Sequence, residues 1–177
     1  MKPGDHPDFF RFAPPPGTSR ESTIVLDREG FFWHDGVRIE HGALADALHR
    51  WISKHPDDGR FILTNGYDWC YFRVEGTPYI VTALRISDDG AHAQLLLSDA
   101  TEEPLDPRNL SINDEGVVFA RVKGGGFEAR FSRHAQTSLA PLLVSAEPPI
   151  LQIGDLQAEL GFRAQGAAGD PKPQMSK

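Results

Sequence analysis

Apolar and polar positions alternate most sharply over residues 24–52, IVLDREGFFWHDGVRIEHGALADALHRWI. The β-branched and apolar run from Thr23 to Leu26 predicts a strand, and Asp27-Arg28-Glu29-Gly30 has turn chemistry, with Gly30 free to take a positive φ. Phe31, Phe32 and Trp33 predict a second strand, His34-Asp35-Gly36 another turn, and Val37 to Glu40 a short third strand. Leu44, Ala47, Leu48, Trp51, Ile52 and His55 then recur at helical spacing, with Asp46, His49, Arg50 and Lys54 on the opposite face. Pro56 ends that helix, because proline disfavours helical geometry at the residue before it.

Short apolar runs at residues 60–64, 69–74, 78–87 and 92–98, separated by Gly-containing turns, predict a mostly antiparallel sheet. Residues 100–109 hold Pro104 and Pro107 and read as a surface connection. A second layout of the same kind follows at residues 110–143. It has a strand, the turn Asp114-Glu115-Gly116, a strand at 117–122, a loose turn at 124–126 and a strand at 127–131. A helix then starts at Ser132 or Arg133, burying Ala135, Leu139, Leu142 and Leu143 and kinked or shortened by Pro141. Glu29-Gly30-Phe31-Phe32 aligns with Glu115-Gly116-Val117-Val118, which points to a duplication. Residues 150–153 predict a further strand, and 156–162 suit strand or helix. The fold class expected is α+β: two similar units, each a curved, mostly antiparallel sheet with one main helix. The boundaries expected are a Pro-rich extended arm at 1–19, units at 20–90 and 91–164, and a disordered tail at 165–177. Phe9, Phe10 and Phe12 precede Pro14-Pro15-Pro16 and are expected to tie the arm onto the body.

Composition narrows the function classes. Hydrophobic residues at 40% and charged residues at 24% describe a globular chain. A net charge of −7 and a pI near 5.4, with no basic block, lack the footprint for nucleic-acid backbones or anionic membranes. Cys70 is the single cysteine, so no intramolecular disulfide forms, and the N-terminus has no apolar run of signal-peptide length. The location expected is the cytoplasm.

The chemistry-bearing residues form no recognisable constellation. The histidines lack HExxH or HxxxH spacing, so no metal site is expected. His34 and Asp35 are expected to alternate across a strand. Cys70 has no basic neighbour to activate it, and a buried strand cysteine is expected. Gly124-Gly125-Gly126 lacks phosphate-loop spacing, and the carboxylates before Gly59, Gly90 and Gly116 lack a calcium-loop pattern. No cofactor is implied. Arg60, Arg73 and Arg85 lie on neighbouring predicted strands and either meet at an anion or face solvent; solvent is the expectation. Three consecutive aromatics at 31–33 put rings on both faces of one strand, so at least one needs a partner beyond the sheet core.

The motifs Gly30-x-Phe32-x-x-x-Gly36-x-x-Ile39, Asp58-Gly59-Arg60-Phe61-x-Leu63-Thr64 and Val74-Glu75-x-x-Pro78-Tyr79 resemble the bacterial domain-of-unknown-function family 1285. So do Val118-Phe119-Ala120-Arg121-Val122-Lys123-Gly124 and Phe127-Glu128-Ala129-x-x-x-Arg133. The resemblance spans about residues 24–143 and departs at Gly66-Tyr67-Asp68-Trp69. It implies two repeated α+β units and a signalling or ligand-sensing role, with no catalytic residues to carry over. The function expected is a non-enzymatic binding or regulatory module that takes a small molecule or protein in a groove between the units, lined by Trp33, Trp69, Tyr71 and Arg73. The alternatives are an enzyme with a dispersed pair, His34 or His92 with Asp35 or Asp68, and a homodimer through an uncovered sheet edge.

Overall fold

Two mixed β-sheets built in one strand order carry the chain. The computed structural model describes residues 1–164, and the tail expected at 165–177 lies outside the described residues.

In the first unit, Met1–Gly76, strands Glu21–Leu26 (β1), Phe32–His34 (β2) and Val37–Arg38 (β3) form an antiparallel meander. Helix Gly42–Trp51 (α1) leads to a second meander, Ile52–Lys54 (β4), Phe61–Thr64 (β5) and Trp69–Val74 (β6). Strand β6 returns parallel to β1, which gives the order β3-β2-β1-β6-β5-β4. The Asp35-Gly36 loop turns with φ 49 and 74, the left-handed pair that a two-residue Asp-Gly hairpin requires.

The helix stops at Trp51, short of the expected His55. Ile52, Ser53 and Lys54 instead pair with Leu63, Ile62 and Phe61. Strand pairing supplies backbone partners that override the helical period. The sheet buries both faces. On one, Leu26 and Phe32 lie at 1% exposure, and the Phe32 ring sits 4.8 Å from His49 on α1. On the other, Ile62 and Trp69 pack with Phe9 of the arm, joined by Phe10 and Tyr71. The aromatic anchoring expected of the arm therefore holds for Phe9 and Phe10 but not for Phe12, which is 49% exposed and meets the His6 ring of the arm itself. The arm is not extended throughout, however: Pro3–Asp5 and Phe9–Arg11 form 3-10 turns. Gly4 N–H donates to Gly66 O at 2.8 Å, so close that a Cβ on Gly4 would sit 2.9 Å from that oxygen.

The second unit starts at Thr77, earlier than the boundary expected at residue 90. The reason is pairing: Tyr79–Ile86 (β7) runs with Ala93–Leu97 (β8) and, in parallel, with Phe127–Phe131. Glu102–Pro104 (β9) completes the first meander, inside the expected surface connection. Leu110–Ile112 (β10), Val118–Val122 (β11) and Phe127–Phe131 (β12) make the second. After β12 come Arg133–Thr137 (α2), capped by Ser132, and a 3-10 turn Ala140–Leu142 that contains Pro141. Ala135, Leu139 and Leu142 are buried as expected, whereas Leu143 is 42% exposed and opens a strand. Leu143–Ala146 (β13), Pro149–Ile153 (β14) and Leu156–Glu159 (β15) form a three-stranded sheet. Gly161–Phe162 (β16) then adds to β10 in parallel. The large sheet has the order β16-β10-β11-β12-β7-β8-β9.

The core of each sheet thus has one topology: two three-stranded meanders, with the sixth strand parallel to the first. The repeat is real but offset from the alignment the turns suggest. Asp27 and Asn113 each accept, through Oδ1, the backbone N–H groups two and four residues on, and Gly30 and Gly116 both take positive φ. Yet the first turn joins strands one and two of its unit, and the second joins strands four and five. Nor is α2 the counterpart of α1, because it follows the sixth strand rather than the third.

The large sheet curls. In a flat sheet β9 and β11, four places apart, would be separated by about 19 Å. The Glu103 carboxylate on β9 nevertheless accepts the Lys123 backbone N–H at 3.0 Å from each oxygen. Lys123 Nζ also donates to Asp99 Oδ2 at 2.6 Å and to Thr101 Oγ1 at 2.5 Å, so the β8–β9 and β11–β12 hairpins are clamped together. Two non-glycine residues in the clamp are left-handed, Ala100 at φ 64 and Lys123 at φ 55. Ala100 is exposed. Ala100→Gly should therefore raise stability by about 0.5–1 kcal/mol, since relief of the left-handed strain exceeds the entropy glycine adds to the unfolded chain. Urea denaturation checks this, and a loss of stability would show the turn to be unstrained.

Candidate functional site

Alternation puts Trp69, Tyr71 and Arg73 on one face of β6. Trp33 lies opposite Val25, which lies opposite Arg73, so all four expected lining residues share one face of the first unit's sheet. They do not form one cluster. Trp33 Nε1 donates to Asp27 Oδ2 at 2.8 Å, and Arg73 pairs with Glu75 at 3.2 Å. Trp69 and Tyr71 meet edge to face at 5.2 Å, and His55 sits 5.1 Å and 5.5 Å from the two rings.

This aromatic cluster is occupied by the chain's own arm. His55, 7% exposed, donates Nε2–H to Phe10 O at 3.1 Å and accepts the Asp57 N–H at Nδ1 at 3.2 Å. Arg11 forks onto Asp57 at 2.8 and 3.0 Å. Arg60 stacks over Tyr71 at 3.8 Å and forks onto Glu21. Arg20 stacks over Trp69 and pairs with Asp68, although Arg20 Nε and Trp69 Nε1 are buried without hydrogen-bond partners among the described residues. Tyr71 donates to Asp58 Oδ2 at 2.7 Å; burial and that carboxylate push its phenol up to about 12, so it keeps its proton. The cluster fastens the arm.

The aromatic run 31–33 is resolved locally. Phe32 faces the core, Trp33 is pinned by Asp27, and Phe31, 43% exposed, lies under the Arg38 guanidinium at 3.6 Å. Arg60, Arg73 and Arg85 do not meet at one anion, because each takes its own carboxylate: Glu21, Glu75 and Glu102.

His34 and Asp35 do not point to opposite faces as expected. The left-handed turn at Asp35 brings Oδ2 within 3.6 Å of His34 Nε2, on the open surface at 59% and 67% side-chain exposure. His92 is exposed. Cys70 is half-buried, and burial pushes its thiol up, away from the reactive thiolate. Among the described residues no group of three or more His, Cys, Asp or Glu side chains is placed to hold a metal ion. No helix among them is long and apolar enough to cross a membrane.

The chemistry the sequence reading missed lies in the second unit. A cleft of about 470 Å³ opens where β10, β11 and β16 run side by side. Strand β11 alternates Val118, Ala120 and Val122 toward the core with Phe119 and Arg121 on the other face, and the cleft is built on that second face. Arg108, Arg121 and Arg163 line it against one acid, Glu128. Arg108 directs Nε and Nη2 to Asp106, and Arg163 directs Nε and Nη2 to Glu128. Each leaves Nη1 outside its ion pair. The Arg121 side chain is exposed and makes no ion pair or hydrogen bond among the described residues. The Arg163 guanidinium also lies 4.0 Å from the Phe119 ring, which forms part of the floor. The available sequence signal was Arg121 at an exposed position between apolar β11 neighbours. Arg108 and Arg163 are distant in sequence, and only β16 joining β10 brings Arg163 to the site.

No protein-family model matches the sequence, and no curated protein matches it. Solved structures do. A DUF1285 family protein from Silicibacter pomeroyi DSS-3 superposes with a TM-score of 0.65 at 15% identity, over 80% of each chain. A DUF1285 family protein from Shewanella baltica OS155 gives 0.55 at 14% identity, over 70% of this chain and 94% of that one. At these identities the likeness is one of fold, and it agrees with the motif resemblance and with the α+β architecture of two like sheets. This chain has the fold of the DUF1285 family.

Proposed function

We propose that the protein is a cytoplasmic binding module whose second unit takes a small anionic molecule in the arginine-lined cleft. The observation that carries this reading is Arg121, a guanidinium unpaired among the described residues, which shares the cleft with two arginines whose Nη1 groups lie outside their ion pairs. A volume of about 470 Å³ is in the range of small-ligand sites. The lining sums to a positive site on a chain of net charge −7, so small anions are drawn to one place while polymeric nucleic acid is repelled by the rest. A sensing role, which the family resemblance implies, would start from this binding event. The first unit's aromatic face is a poorer choice, because residues of the arm already fill it.

Isothermal titration of inorganic phosphate into the full chain tests the reading. Arg121→Ala is expected to weaken binding about 10- to 100-fold, the loss of one or two charge-assisted hydrogen bonds. Because Arg121 is exposed and unpaired, its removal should leave the melting temperature unchanged. Equal binding by both proteins would place the anion elsewhere.

A further inference from the structure

We infer that the aromatic face of the first unit is a docking groove for a peptide segment of a partner protein, and that the arm is its built-in competitor. The segment that fits has two adjacent aromatic residues followed by an arginine, the chemistry of Phe9-Phe10-Arg11. The seated arm shows how each position is read. Phe9, 4% exposed, packs with Ile62 and Trp69, and the Phe10 ring lies 6.0 Å from both His55 and Trp69. His55 Nε2–H donates to the Phe10 carbonyl, and the Asp57 carboxylate accepts Nε–H and Nη2–H of Arg11. Two rings and one bidentate fork suffice to recognise a short segment.

Three observations mark the arm as displaceable. Its hold is small: among the described residues of the arm, 1–19, Phe9 alone is buried, and the Arg11 and Asp57 side chains keep 55% and 45% exposure. It hangs on a simple hinge. Residues 15–19 are exposed, and the chain reverses where Pro15 O accepts the Thr18 N–H at 3.1 Å and its hydroxyl at 2.7 Å, around Gly17 at φ 79. Finally, the arm leaves its own groove incompletely satisfied. Trp69, which packs with both arm rings, is 6% exposed, and its Nε1–H is buried with no acceptor among the described residues. The same holds for Nε–H of Arg20, whose guanidinium lies 4.5 Å from the Trp69 ring. A buried donor left unmade favours any occupant that brings an acceptor. A partner segment with the arm's aromatic and basic positions, and an oxygen placed for these donors, outcompetes the arm.

The test is fluorescence polarisation of a labelled peptide of residues 5–12 added to the full chain. The tethered arm competes at an effective concentration on the order of millimolar, so weakening the arm strengthens binding in trans. Arg11→Ala in the chain should tighten peptide binding about 3- to 10-fold, the loss of one forked ion pair from the competitor. Phe9→Ala in the chain should tighten it further; Arg11→Ala, a change at an exposed side chain, decides the point even if Phe9→Ala fails to fold. The peptide carrying Phe9→Ala should bind at least about tenfold more weakly, as expected for a buried ring. Peptides selected by display on the unmodified full chain should carry paired aromatics followed by Arg or Lys, bind more tightly than the arm peptide, and shift the Trp69 indole N–H resonance. If the arm peptide binds neither chain, or binds both equally, the competition fails and the inference with it. If Arg11→Ala tightens the arm peptide but no selected peptide binds the unmodified chain, the arm is a permanent part of the fold and the partner role is overturned. Selected peptides without aromatic residues, or without effect on the Trp69 indole, overturn the groove as their site.

Discussion

Lys123→Met is expected to destabilise the second unit by about 3–5 kcal/mol, the size of effect seen when one partner of a buried ion pair is removed. Asp99 is 7% exposed at its side chain and Lys123 24%, and their 2.6 Å contact is shielded from water. Without the ammonium group, Thr101 is the one donor left to the Asp99 carboxylate among the described residues. A double variant, Asp99→Ala with Lys123→Met, should recover much of the loss, because no buried charge is then left unpaired. Urea denaturation of the single and double variants gives the comparison. A single-variant loss below about 1 kcal/mol would mean the clamp is a solvated surface pair.

The clamp also sets an acid limit. Burial pushes the Asp99 carboxyl up, but hydrogen bonds from Lys123 and Thr101 outweigh this and hold it below the usual carboxylate range. A carboxyl depressed in the folded state binds fewer protons than in the unfolded state. Its stabilisation is therefore complete above the ordinary value of about 4 and fades as pH falls further, through the folded-state value. In Asp99→Ala with Lys123→Met this part of the acid-induced loss should be absent.

Phe32→Ala is the second large effect expected, at about 3–5 kcal/mol. Phe32 is 1% exposed and packs on His49 at 4.8 Å and Phe72 at 6.2 Å, in register with Leu26. Phe31→Ala, one residue away, should cost less than about 1 kcal/mol, since that ring is 43% exposed and meets the Arg38 guanidinium in open solvent. Thermal melts of the two variants compare them directly, and equal losses would contradict the placing of Phe32 in the core and of Phe31, just before β2, at the surface.

The same two rings show what was legible in the chain. Alternation along 69–74 and 127–131 placed β6 and β12 to the residue, because each has a buried side-chain row with period two. Strand β4 was hidden, because Ile52 also fits the helical period of Leu44, Leu48 and Trp51, and only pairing with β5 decides between the two. Strand β9 was hidden because Glu102, Glu103 and Pro104 carry no apolar signal; its place comes from pairing with β8 and from Glu103 reaching Lys123. The duplication was visible in two like turns, but turn chemistry reports only local hydrogen bonding. The matching of whole meanders needed the sheet order.

The site was legible only in part. Trp69 and Tyr71 were singled out as ring-rich, and they do stack, but on His55 and under the arm. The arginine cleft needs Arg108, Arg121 and Arg163 brought together by the parallel addition of β16 to β10, a contact between segments about fifty residues apart that no local pattern encodes.

The most direct test of the anion-binding cleft is an amide-resolved NMR titration of the full chain with inorganic phosphate. The shifts should concentrate at Ser111, Phe119, Arg121, Phe162 and Arg163, saturate together, and be weakened by Arg121→Ala. Shifts centred on Trp69, Tyr71 and His55 in the first unit, or unchanged by Arg121→Ala, would contradict the account.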